Sequence, residues 1–182
     1  MPSILNEVYA SKPVNQIVLE TLELHNPNFT NELGINVPFR FVCSKQSLTP
    51  INGILEESAP RDGGKFVEFL PAPISVTPSG ESENGKGDIN ITLGDVTHTV
   101  EEQLNAAVQD GYNPVRVFHR IYTLNIDTGA IEGAHNHPFE RHLKSCSMQA
   151  GIMSATASVV DIINKPFPFN LYTAKFAPAL TN

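Results

Sequence analysis

The sequence has no tryptophan and only two cysteines, Cys43 and Cys146. Two isolated thiols make neither a disulfide framework nor a zinc ribbon, and both are read as small buried hydrophobes. No apolar run reaches the roughly 18 residues that a spanning helix needs. The first residues lack the basic stretch and continuous apolar core of a secretory signal, so synthesis in the cytoplasm without an export route is expected. Basic residues are in deficit: 12 Lys and Arg stand against 19 Asp and Glu, a formal charge of −7. Nucleic-acid binders draw much of their affinity from a basic face that neutralises phosphates. No basic stretch is visible, so neither nucleic acid nor membrane is expected as a partner. Catalytic signatures are missing too. There is no Gly-x-Ser-x-Gly elbow, and Gly85-Lys86-Gly87 has neither the spacing nor the strand-to-helix context of a phosphate loop.

What is present is a chain of 182 residues, 41 % hydrophobic, with 14 Pro and 12 Gly. One domain covering 1–182 is the natural reading. A chain of this length buries about 70 % of its extended surface and needs no disulfide or metal to fold. The organising stretch is Asp88 to Thr123. Ile89, Ile91 and Leu93 alternate with Asn90 and Thr92, the period of a half-buried strand. Val96, Val100, Leu104 and Val108 then recur every fourth residue, the stripe of an amphipathic helix, with Thr97 or Thr99 as cap and Gly111 as its end. From Pro114 alternation returns, with Val115, Val117, His119 and Ile121 on one face and Arg116, Phe118, Arg120 and Tyr122 on the other.

Around this unit the pattern is β and turn-rich. Val14 to Leu24 reads as a strand with a parity break near Thr21, the sign of a bulge or a change of face. Val37 to Val42, starting at Pro38, is a second strand, Lys65 to Leu70 a third and Ile74 to Thr77 a fourth. Asn52-Gly53 and Arg61-Asp-Gly-Gly64 read as turns. Arg141 to Met148 is expected to run antiparallel to Pro114–Tyr122, and Gly151 to Val160 fits strand or helix, with strand preferred for its β-favouring residues. Exposed loops are expected at 78–87 and 125–137, and an aromatic, Pro-rich C-terminal arm at 164–182. The fold class is mainly β: an antiparallel β-sandwich or barrel-like domain with one central helix at about residues 97–110.

The densest polar cluster is His135-Asn-His137-Pro-Phe-Glu140-Arg-His142. His135, His137, Glu140 and His142 are the types a first-row transition metal accepts. His-x-His is also common in a polar loop facing water. Glu56 and Glu57 would diverge on a strand, and Glu101 and Glu102 suit the positive end of the central helix. Cys146, between Ser145 and Ser147, has no local base. No catalytic, cofactor-binding or metal-binding residue is assigned, and no cofactor. Phe167, Phe169, Tyr172 and Phe176 crowd the C-terminal arm. Such a segment either covers the domain's own core or docks on another subunit.

The residues resemble, over nearly the whole chain, the tailed-phage and prophage proteins catalogued as domain of unknown function 1833, often labelled minor tail proteins. The likeness begins at Tyr9-Ala-Ser-Lys-Pro13 and continues through Leu19-Glu-Thr-Leu-Glu-Leu24-His25-Asn-Pro27, Phe66-Val-Glu-Phe-Leu-Pro71 and Ile91 to Val96. It goes on through the helix at Thr99–Asp110, Pro114-Val-Arg-Val with Arg120-Ile-Tyr122, and Asn164-Lys-Pro-Phe-Pro168 with Tyr172-Thr173 and Phe176 to Leu180. The chain departs from the pattern at Gly94, at Ala177-Pro178-Ala179 and by a longer stretch at Asn125–His137. The resemblance implies a structural component of a long-tailed phage virion at the distal tail or baseplate. It would be made in the host cytoplasm, form a ring, and contact the tube end, hub or neighbouring subunits. It implies no enzymatic activity. Two other readings stand beside it: a metal-binding or small hydrolytic module using His135–His142, and a receptor- or glycan-binding tail accessory using the two loops.

Overall fold

The computed structural model describes residues 15–78, 88–94, 98–110, 113–135, 138 and 140–159. The expected loop at 79–87, the stripe residue Val96, the cap Thr97, the stop Gly111, His137 and the arm at 164–182 lie outside them. Among the described residues, ten strands and one helix follow in order: β1 Gln16–His25, β2 Phe39–Cys43, β3 Ile51–Ile54, β4 Phe66–Ala72, β5 Ile74–Pro78, β6 Ile89–Leu93, α1 His98–Asp110, β7 Arg116–Asn125, β8 Ile131–Gly133, β9 Arg141–Gln149 and β10 Ile152–Val159. The preferred strand at Gly151–Val160 is thus present, and β2 does begin after Pro38.

All strands join one sheet in the order β3-β4-β2-β1-β7-β9-β10-β6-β5, with β8 attached to β7. The domain is mainly β, as expected, but the sheet differs from the expectation in two ways. It is mixed, because β2 and β4 run parallel, and it is not closed into a barrel. Sequence patterning does not report the direction of a partner strand, and β2 and β4 are parallel because β3 intervenes between them as the antiparallel neighbour of β4 alone.

The sheet carries a core on each face. On one face Leu22 and Leu24 of β1, Val117 of β7, Ile89, Ile91 and Leu93 of β6 and Met153, Ala155 and Ala157 of β10 form a core that α1 covers with Leu104 and Ala107. There β5 comes close to β2, and the Cys43 thiol donates to the Ile74 carbonyl at 3.4 Å. On the other face Leu19, Val42, Ile51, Leu55, Val67, Phe69 and Tyr122 form a second core. Strands β2, β1 and β7 serve both.

This double use corrects the reading of β1. Its ladder with β7 is unbroken from Gln16↔Asn125 to His25↔Arg116, so the parity break at Thr21 is no bulge. The strand is buried on both faces, and its apolar residues change face where the second core gives way to polar groups. Other expectations shift similarly. Asn52-Gly53 is not a turn; Gly53 lies within β3, where an added Cβ would stand 3.1 Å from the Tyr122 ring. In α1 the buried side chains are Leu104 and Ala107, while Val108 is 40 % exposed. Thr99 sits inside the helix rather than at its cap. The stretch at 125–137 is not all loop, since β8 pairs with β7 from Tyr122↔Gly133 to Leu124↔Ile131. β9 is antiparallel to β7 as expected, though only at Arg116↔His142 and Val117↔Arg141; its long ladder is with β10.

A buried ion network beneath an open cleft

At the polar end of the second core, charged side chains replace apolar ones. Glu23 of β1 is 1 % exposed and Arg120 of β7 is 0 % exposed. One Glu23 oxygen accepts from Arg40 Nε at 2.8 Å and lies 2.9 Å from His25 Nε2; the other accepts from Arg120 Nη1. Arg120 also makes a two-pronged contact with Glu56, Nε and Nη2 each at 2.8 Å. Arg40 continues to Asp62 at 2.9 Å, and Asp62 to Lys65 at 3.5 Å. Three carboxylates thus face three cations. The guanidinium of Arg120 also lies 5.5 Å from the Phe118 ring centre.

Burial by itself would raise the Glu23 carboxyl, but the His25 hydrogen bond and the charges of Arg120, His25 and Arg40 outweigh it and hold the group below its ordinary value. Asp62 is held low by its bond to Arg40. For Arg120, burial disfavours the cation, yet the bonds and charges of Glu56 and Glu23 raise it overall. These groups stay ionised. The network joins β1, β2 and β7 to the connector at 55–65, which turns through Asp62 (φ 55°) and Gly64 (φ 71°), the turn expected from Arg61-Asp-Gly-Gly64.

Above the network is an open cleft of about 750 Å³ with His25 in its lining. One wall carries Asn36, Val37 and Pro38, and another Pro60 and Arg61. Pro114, Arg116, Glu140 and His142 also line the cleft. The walls are braced. Arg61 donates to the side chain and the carbonyl of Asn36. Asn36 Nδ2 in turn donates to the carbonyls of Asn26, Pro27 and Phe29 at 2.7–3.0 Å. Gln103 of α1 both donates to the Thr30 carbonyl and accepts from its amide, each at 2.9 Å. The turn at the tip is closed by Asn31 Oδ1, which accepts from the amides of Leu33 and Ile35 at 3.0 Å. This braced tip presents Leu33, 80 % exposed, and Ile35, 55 % exposed, to solvent.

The sequence cluster at 135–142 divides. The His135 ring is 2.8 Å from Thr123 Oγ1 at the β7–β8 end. His142 is 3.0 Å from Glu140, which reaches Arg116 at 3.6 Å on the cleft rim. His137 lies outside the described residues, and among those described no group of three His, Cys, Asp or Glu side chains is arranged to hold a metal. Glu56 and Glu57 do diverge, but from a turn rather than a strand: Glu56 bonds Arg120 and Glu57 is exposed. Cys146 is half-buried and its thiol is pushed up by burial, away from a reactive thiolate. Sequence reading missed Glu23, Arg40 and Arg120. Their signal was a charge at an inward position of an apolar alternation, as in Phe39-Arg40-Phe41.

The family described as Domain of unknown function (DUF1833) matches residues 3–172. The chain belongs to that family, which is associated with tail-tip and minor tail proteins of tailed phages. No curated protein matches the chain.

Proposed function

We infer that the chain is a structural protein of a long-tailed phage virion, assembled at the distal tail or baseplate through protein–protein contacts and without enzymatic activity. Family membership supports the general setting. The observation that carries an assembly role is the braced tip at 31–36, which holds two large apolar side chains in water. A loop fixed by this many hydrogen bonds loses little freedom on docking, so its apolar area is available for binding. A second apolar surface lies on the outer face of the β3–β4 pair, where Ile54, Phe66 and Leu70 are 43 %, 74 % and 50 % exposed. Two unlike patches on one chain suit a ring, in which each subunit offers one patch to the next.

The charged groups favour the same reading. Glu23, Asp62 and Arg120 are locked in a balanced network and stay ionised, which suits them to holding strands rather than exchanging protons.

The test is incorporation into particles. Leu33→Glu with Ile35→Glu changes exposed positions only, and the thermal midpoint is expected to hold because surface changes cost within about 0.5 kcal/mol. Tails assembled with this variant should lack the protein on immunoblots of purified particles, or be absent. Normal incorporation would sink the proposed role of the tip. A map of the native particle in which the chain lies away from the tail end would sink the placement.

A further inference from the structure

We propose that β3, β4 and the connector at 55–65 form a flap that opens as one body from the rest of the sheet, with the buried ion network as its latch. The flap is self-contained. Its two strands pair from Ile51↔Phe69 to Ile54↔Phe66. The connector extends the hairpin, for the Leu55 amide donates to the Lys65 carbonyl at 3.1 Å and the Gly64 amide to the Leu55 carbonyl at 3.2 Å. Each of these bonds joins one part of the flap to another, so the flap keeps them when it moves.

The main-chain hold on the frame is one-sided. Strand β4 meets β2 at Phe41↔Leu70, Val42↔Pro71 and Cys43↔Ala72, all at its exit end. Pro71 has no amide to give, and parallel pairing is the weaker kind. From Phe66 to Phe69, β4 pairs with β3 alone among the described strands. The frame is joined differently: β1 and β7 pair without a break from Gln16↔Asn125 to His25↔Arg116. The cores are unequal as well. Among the described residues the second core has seven buried members, of which Ile51, Leu55, Val67 and Phe69 belong to the flap, and the first core has fifteen. Less apolar area holds the flap than holds the frame together, so the flap opens at lower cost than the whole molecule unfolds.

At the far end side chains take over. Glu56 holds Arg120 with both oxygens at 2.8 Å, and Asp62 holds Arg40 at 2.9 Å. Arg61 donates to Asn36, and the Tyr122 phenol to the Ile54 carbonyl. The network's charges divide along the joint. On the frame the cations of Arg40 and Arg120 share the carboxylate of Glu23. On the flap the carboxylates of Glu56 and Asp62 stand with the ammonium of Lys65. Each side thus carries an imbalance of opposite sign, which closure cancels. Removing a carboxylate from the flap leaves a guanidinium uncompensated in the closed form and favours the open one. Opening bares Leu19, Val42 and Tyr122 of the frame to a neighbouring chain. The flap meanwhile carries the outward Ile54, Phe66 and Leu70 with it.

Hydrogen exchange of the full chain at rising, sub-denaturing urea, mapped by peptide mass spectrometry, tests this. Relative to their unstructured rates, amides in 51–70 should exchange at least about tenfold faster than those in 17–24 and 117–124. Ile91→Val, which thins the first core, should speed 17–24 and 117–124 about threefold and leave 51–70 unmoved. Glu56→Gln should speed 51–70 by about tenfold or more while circular dichroism shows the fold retained. Asp62→Asn gives the same reading if that variant does not fold. One level of protection across the three segments, a response of 51–70 to Ile91→Val as large as that of the other two, or no acceleration of 51–70 by either charge variant would each overturn the proposal.

Discussion

Arg120 is fully buried and charged, a state that costs several kcal/mol unless every donor is engaged. Its Nε and Nη2 reach Glu56 and its Nη1 reaches Glu23. Removing the cation would strand both carboxylates, so Arg120→Met is expected to destabilise by about 3–5 kcal/mol, read from urea unfolding at neutral pH. A loss under about 1 kcal/mol would mean that the carboxylates find water instead. A half-buried titrating residue sits on the opposite face of the same strand. Burial, and then the charge of Arg141, push the His119 imidazole down to about 4 from an ordinary 6.5. A lowered histidine binds fewer protons folded than unfolded, so stability is full above about 6.5 and falls as pH drops towards 4. Across that window the loss is on the order of 2–3 kcal/mol. Glu20, 3.9 Å away, is raised by burial and acts in the opposite sense at the acid end of the window. His119→Leu should flatten the slope of unfolding free energy between pH 4.5 and 7; an unchanged slope would assign it to other groups. None of this pairing was legible in the sequence. Alternation placed His119 and Arg120 on opposite faces, correctly, but period two does not say that both faces are buried.

At the scale of elements, strand after strand follows from alternation, and β2, β4, β5, β6 and β10 lie where the pattern puts them. What alternation does not carry is partnership. Gly53 shows why. Beside Asn52 it has the composition of a turn, yet it lies in β3 because the ring of Tyr122 occupies the place of a side chain. The phenol then donates to the Ile54 carbonyl at 3.2 Å, and burial raises its hydroxyl to about 12. Gly53→Ala should therefore cost roughly 1–3 kcal/mol through overpacking. The same change should cost much less in a Tyr122→Leu background, a coupling that a double-mutant cycle reads directly. Equal costs in both backgrounds would mean the ring is not the obstacle. The helix is legible for a different reason: it has a stripe of its own. Yet Gln103, exposed by any helical-wheel reading of Val100, Leu104 and Val108, is the residue that ties α1 to the tip loop. Gln103→Ala should speed amide exchange at Thr30 without moving exchange in β1; unchanged protection at Thr30 would show that Asn36 and Arg61 suffice.

At the scale of the whole molecule, the sequence pattern pointed to a mainly β fold and left its shape open between sandwich and barrel. Each of those has one core, whereas this sheet has two, sharing β2, β1 and β7. The resemblance drawn from Leu19 to Pro27 and from Pro114 to Tyr122 marks this shared centre, since those segments are β1 and β7. The same arrangement governs the order in which the chain takes shape. The central ladder joins Gln16 to Asn125, so β1 is made early and waits for a partner about a hundred residues downstream. Until β7 arrives, one edge of β1 is open and both of its apolar faces lack their covers, a state prone to pairing with other chains. Newly made chains that stop short of Pro114 are expected to remain sensitive to protease, and refolding of the full chain to fall in the slow, millisecond-to-second range of non-local β folds. Timing, as much as sequence, then decides whether a copy is ready to join its neighbours.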